Sequence, residues 1–260
     1  MEYCIVVPAR FGQQQINDKN LREIHGRSLV ERSLTHASYL SGSKVRVCLS
    51  TNEPGKITRA IKSLTLDQSE KIFKLEKESI ETFNGVDIHN RPERFATPFS
   101  STRETLQNLR ECYLKMGISF SRWLIFQPTS PFRDCTELDE MMNFVMLEKN
   151  KDSYSLVSVT NVGDKHPARM YKKVDHGLER YLPNAKSEFS RRQDLEDLYV
   201  RDGGFYVTSD SLLANGQFIS SNPSFIVRSY PWHINIDTEE DIRFAQSVSS
   251  EVIFGDPNSK

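Results

Sequence analysis

The 260-residue sequence is poor in cysteine and carries no excess of either charge. The four cysteines, at positions 4, 48, 112 and 135, never approach one another in the pairs that disulfide frameworks or zinc sites require. They are expected to be reduced thiols. Lysine and arginine number 34 against 35 aspartates and glutamates, a net charge of -1. No global basic field is present to attract nucleic acid, so any anion site has to be local. No apolar run is long enough to cross a bilayer, which argues against a membrane partner. Tyr3-Cys4-Ile5-Val6-Val7 is too short for a signal peptide and is soon followed by Arg10. It is expected to be the first buried strand of a cytoplasmic protein. Repeats and low-complexity tracts are absent.

What remains is an alternation of short β-rich runs and helical patterns, the signature of an α/β sheet. Strands are expected at 3–9, 45–50, 87–89, 123–127, 154–160, 204–208, 225–229 and 233–236. Ser101 with Glu104 reads as a capping box that opens a helix. Leu106, Leu109, Tyr113 and Met116 mark its apolar face, and Gly117 ends it. A second helix is expected from a cap at Thr136 and Asp139, with Leu138, Met141, Met142 and Val145 facing inward. A third starts at Thr238 with Asp241. The charged stretch 67–83 fits helix and irregular strand equally. Residues 163–199 break the rhythm. Within them 170–174 and 178–182 flank Asp175-His176-Gly177 as a β-hairpin. This excursion is either a surface flap or an arm that docks on a second subunit.

Several polar groups fall where strands should end, the place where open α/β sheets bind ligands. Trp123-Leu124-Ile125-Phe126 runs into Gln127-Pro128-Thr129-Ser130-Pro131-Phe132-Arg133, a proline-stiffened loop. Val7-Pro8-Ala9-Arg10 and Lys19-Asn20 bracket another loop with two cations, as a phosphate site requires. Asn90-Arg91-Pro92 follows a short strand. Ser100, Ser101 and Thr102 open a helix, as caps first and ligand contacts second. Arg191-Arg192-Gln193 suits a carboxylate or phosphate, or a solvated face. Gly203-Gly204 implies a tight turn or a close backbone approach. Asn235-Ile236-Asp237-Thr238 places a carboxylate at a strand–helix junction. Asp237 there is either a Mg²⁺ ligand or a helix cap, and the residue types alone favour the cap.

In this order and spacing, the motifs from Val7 to Ala245 resemble the acylneuraminate cytidylyltransferase family. Its members are the CMP-sialic acid synthetases and their relatives acting on other nonulosonic acids. The resemblance implies one nucleotidyltransferase domain over 1–260. The fold would be a Rossmann-like three-layer sandwich with a mixed sheet, and 163–199 an inserted dimerisation arm of a homodimer. It implies that CMP passes from CTP to the anomeric hydroxyl of an acidic sugar. Arg10 and Lys19 would bind the CTP phosphates and, with Asp237, carry the chemistry. Asn20, Arg91 and Thr102 would help hold the nucleotide. Gln127 would touch the sugar, and Arg192 and Gln193 would reach in from the arm. Asp237, with Asn235, would bind Mg²⁺. None of the six histidines (25, 36, 89, 166, 176 and 233) has an evident role as a base.

The chain also departs from the family pattern. Its first loop, Phe11-Gly12-Gln13-Gln14-Gln15-Ile16-Asn17-Asp18, keeps one glycine and sets an acid beside Lys19. Asn235 replaces the first carboxylate of an Asp-Ile-Asp motif. Pro98 stands where Asp is common, and Asp202 where Asn is. A related nucleotidyltransferase with another sugar or nucleotide, or a weakened nucleotide-binding relative, therefore stays open.

Overall fold

The computed structural model describes residues 2–12, 16–57, 78–83, 85–148, 152–183 and 191–248. Eight strands form a mixed sheet in the order β12-β8-β11-β7-β1-β4-β6-β5. They are β1 (Tyr3–Pro8), β4 (Val45–Thr51), β5 (Ile80–Phe83), β6 (Val86–Asn90), β7 (Arg122–Ile125), β8 (Ser155–Asn161), β11 (Tyr199–Ser209) and β12 (Ser224–Val227). Strands β7, β1, β4 and β6 are mutually parallel, while β5 and β11 run against their neighbours at either side. Two short pairs lie outside the sheet: β2 (Glu23–Ile24) with β3 (Arg27–Ser28), and β9 (Tyr171–Val174) with β10 (Gly177–Arg180). The second is the expected hairpin, with the two-residue connection Asp175-His176.

Period-two alternation puts Tyr3, Ile5 and Val7 on one face of β1, and Cys4 and Val6 on the other. Helices α1 (Leu29–Tyr39) and α3 (Cys135–Leu147) cover the first face through Val30, Leu34, Leu138 and Met141. Helices α2 (Thr102–Lys115) and α4 (Asp210–Ala214) cover the second through Leu106, Leu109, Tyr113 and Leu213. Three layers result, as expected. Helix α5 (Glu239–Ser247) packs separately, where Ile242 and Ala245 meet Ile16, Ile24, Phe132, Ile234 and Ile236. No helix among the described residues is long and apolar enough to cross a membrane.

Several elements differ from the expectations. The segment 233–236 is not a strand. Its alternation comes from Ile234 and Ile236 reaching under α5, and Ile236 N–H bonds Thr129 O at 2.7 Å instead of joining a ladder. The cap of α3 is Asp134, not Thr136; its carboxylate accepts from Thr136 N–H, and Glu137 completes the capping box. Met116 is exposed and Cys112 takes its place on the buried side of α2. Of the undecided stretch, 67–77 lies outside the described residues and Ile80–Phe83 is edge strand β5. Helix α1 was not expected, although Ser28 and Glu31 form a full capping box before it.

Candidate active site

Chain order fixes where the site lies. From β1 the parallel strands proceed outward through β4 to β6, and the chain then returns to place β7 on the other side of β1. The carboxyl ends of β1 and β7 therefore flank the point where the order reverses, where a crevice opens in such sheets. A crevice of about 340 Å³ lies there. Arg10, Lys19, Asn20, Arg91, Thr102, Gln127 and Asp237 all line it, from six separate stretches of chain. Three cations thus face a single carboxylate among the described lining residues, Asp237. In a chain of net charge -1 this is the local positive field that a polyanion requires.

Each of these side chains is held by its neighbours. Arg91 is buried; it donates from Nη2 to Ser50 O at 2.7 Å and from Nε to Ser50 Oγ at 3.2 Å. Burial, then the nearby Arg10 charge, lowers its pKa to about 10. The Ser50 hydroxyl also contacts His89 Nδ1 at 2.9 Å. Burial holds the His89 pKa down to about 3, so the ring stays neutral. Asn20 Nδ2 donates to Arg10 O at 2.7 Å. Phe11 is pinned by Asn52, which accepts its N–H at 2.9 Å and donates back to its carbonyl at 3.2 Å. Ser50 and Asn52 were missed in the sequence. The signal was present, since Ser50-Thr51-Asn52 is a polar triplet at the end of an apolar strand, as Gln127 is.

The acid beside Lys19 does not weaken it. Asp18 turns outward to Lys56 Nζ at 3.2 Å. Lys19 Nζ instead donates to Ile236 O at 3.0 Å and to Asp237 Oδ1 at 3.1 Å. Arg22 forms a bidentate pair with Glu239. The first loop and the start of α5 are thereby tied together across the crevice mouth. Residues 13–15 of that loop lie outside the described residues.

Asp237 is not the cap of α5. Thr238 is, with Asp241 as the reciprocal partner. The Asp237 carboxylate is 60% exposed; among the described residues it accepts from Lys19 and from the Asn235 amide, the latter at 3.2 Å. Residue types alone could not decide this, because Asp and Thr are both good caps.

Gln193 is not brought into this crevice. It lines a second hollow of about 280 Å³ with Asn161, His166, Glu196 and Asp197, at the base of the excursion. Arg192 opens the 3-10 turn Arg192–Asp194; its side chain lies outside the described residues. Arg133 is also not a ligand group. It is fully buried behind the loop that carries Gln127. No histidine lines the crevice among the described residues.

Comparison with known proteins bears on the same fold. A curated relative, the CMP-N,N'-diacetyllegionaminic acid synthase of Legionella pneumophila, is 23% identical over 243 residues, 93% of either chain. The chain resembles the acylneuraminate cytidylyltransferases over most of its length. The solved CMP:2-keto-3-deoxy-manno-octonic acid synthetase, complexed with CTP, superposes with a TM-score of 0.61 at 13% identity. The match covers 97% of this chain and all of that one. The 4-diphosphocytidyl-2C-methyl-D-erythritol synthase of Anaerococcus prevotii gives a TM-score of 0.52 at 15% identity, over 94% of both chains. These likenesses show the fold. No family model matches the sequence.

Proposed function

We propose that this chain is a cytidylyltransferase that moves CMP from CTP to the anomeric hydroxyl of an acidic sugar, sialic acid or another nonulosonic acid. One observation carries the reading: Arg10, Lys19, Gln127 and Asp237, up to 227 residues apart in sequence, line one crevice at the switch point of the sheet. The curated relative makes a CMP-activated acid of this class.

In the reaction the sugar hydroxyl oxygen bonds the α-phosphorus of CTP as the bond to pyrophosphate breaks, and the hydroxyl proton is lost to solvent. Arg10, Arg91 and Lys19 lie where a triphosphate would be gripped, and they offset the charge that gathers on the leaving group. The start of α2, where Thr102 stands, adds N–H dipoles on the same wall. Gln127 offers an amide to the sugar.

A divalent ion fits the donor set. Asp237 and Asn235 present a carboxylate and an amide side by side, both exposed. Mg²⁺ takes few protein oxygens and fills its shell with phosphates and water. No group of three or more His, Cys, Asp or Glu placed for a metal occurs among the described residues, so the ion would arrive shared with the nucleotide. When bound it would neutralise phosphate charge and acidify the attacking hydroxyl. Lys19 would then exchange Asp237 for a phosphate oxygen.

The decisive assay follows pyrophosphate with CTP, Mg²⁺ and a panel of nonulosonic acids. Release with one acid is expected. Release only with another nucleotide would move the reading to a related transferase, and CTP binding without release would leave a nucleotide-binding relative. Ser50→Ala, which takes away one of the two oxygens holding Arg91, is expected to raise the CTP dissociation constant about three- to tenfold by calorimetric titration.

The excursion is proposed to dock on a second copy. Tyr171, Leu178 and Tyr181 of the hairpin region are exposed, a poor arrangement for a flap left in water. Light scattering is expected to give a dimer, and deletion of 170–182 a monomer. A full-length monomer at working concentration would overturn the arm.

A further inference from the structure

We infer that Arg133 and the Asp202–Arg228 pair are positioning residues that set the sugar side of the crevice by locking Gln127 onto a glycine bulge of β11. This rests on the reading of Gln127 as a sugar contact. The ladder between β11 and β8 slips between Arg201 and Tyr206, so that residues 202–205 bulge out opposite Ser158. Gly203, at φ +78°, is pressed against the Gln127 side chain. A Cβ there would lie 2.9 Å from Gln127 Oε1 and 3.2 Å from Ser130 Oγ. The bulge is therefore the back wall against which the Gln127 amide is set.

Two fully buried arginines fix that wall. Arg133 donates from Nη2 to Gln127 O at 2.7 Å and from Nε to Gly204 O at 2.8 Å. One planar fork thus spans the Gln127 loop and the bulge. Lysine has no such fork. Arg228 donates to Asp202 Oδ2 at 3.2 Å, to Glu137 Oε2 at 3.1 Å and to Phe132 O. Asp202 also accepts from Gly204 N–H at 3.0 Å and from the Ser158 hydroxyl. The carboxylates of Asp202 and Glu137 balance the two guanidinium charges. The acid at 202, where asparagine is usual in the resembling family, thus points into this network and adds no negative charge to the crevice. A neutral residue there would leave one buried charge unmatched.

The test is Arg133→Lys in the full-length protein, read by separate KM values for CTP and for the acidic sugar. A rise of about tenfold or more in the sugar KM is expected, with the CTP KM within about twofold. Of the groups the fork bonds among the described residues, Gln127 O, Gly204 O and Ser33 Oγ, the one belonging to a crevice-lining residue is Gln127 O. Gly203→Ala, which forces a methyl group against Gln127 Oε1, should give the same split and serves if the lysine variant does not fold. An equal rise in both KM values, or no rise, would overturn the inference. Failure of the parent protein to release pyrophosphate with any acid would count against the proposed function alone. The Gln127 side-chain amide resonances then decide the positioning role: they are expected to shift in both variants, and unshifted signals would overturn it.

Discussion

Asp237→Ala will reduce pyrophosphate release at least about a hundredfold and leave the fold standing. Both halves of this outcome follow from the position of the side chain. The helix it precedes is capped by Thr238 and Asp241, so the substitution removes no cap. The carboxylate is 60% exposed, and its ion pair among the described residues, with Lys19, is at the rim. Such pairs contribute little to stability, and the melting temperature should stay within about 3 °C of the parent. Turnover is expected to depend on it for a different reason. Asp237 is the single carboxylate among the described residues that line a crevice with three cations. It is therefore the one formal negative charge there able to hold a divalent ion against the triphosphate. Its loss also frees Lys19, so CTP without Mg²⁺ should bind at least as well to the variant as to the parent. Near-normal turnover would assign the metal site elsewhere, and a collapsed melting curve would make Asp237 structural.

The parts of this site that were legible in the sequence are those where chemistry and position coincide. Arg10 and Gln127 follow strands whose apolar runs are unambiguous, so their place at carboxyl ends could be read without coordinates, whereas Lys19 follows a polar loop and Arg91 a strand, Val86–Asn90, that is half polar. What could not be read depends on distant partners. Asp18 beside Lys19 implies a weakened cation until Lys56, 38 residues away, is seen to take the charge. Asp202 reads as no more than an acid in the place of an asparagine until Arg228 is seen behind it. Arg133, in the most informative loop of the chain, reads as a ligand group because nothing local shows that it turns inward. The 233–236 run has perfect strand alternation but pairs with no strand among the described residues; the alternation serves the packing of Ile234 and Ile236 under α5. Local pattern reports which face is apolar and not what covers it.

Gly204→Ala should be the most damaging single methyl group in the molecule's bulge. A Cβ built on Gly204 falls 1.9 Å from Arg228 Nη1, 2.6 Å from its Cζ and 3.0 Å from Ser158 Oγ. Contacts that short cannot be absorbed without moving a group. The guanidinium is completely buried and each of its nitrogens already donates, to Glu137, Asp202 and Phe132 O. To make room it has to leave Asp202, and breaking a buried pair in this way costs about 3–5 kcal/mol. That is a large share of the roughly 5–15 kcal/mol by which a domain is stable. The expected result is a urea midpoint lowered in proportion, or insoluble protein. A background that removes the obstacle separates this cause from any general intolerance of the bulge. In Asp202→Asn/Arg228→Met the guanidinium is gone, position 202 is neutral, and the Glu137 carboxylate that Arg228 also held is left to offset the remaining buried charge of Arg133. There the added methyl should cost about 1 kcal/mol or less, so the cycle should show a coupling of about 2 kcal/mol or more. Equal costs in the two backgrounds would mean that the backbone of the bulge, and not the arginine beneath it, demands glycine at 204.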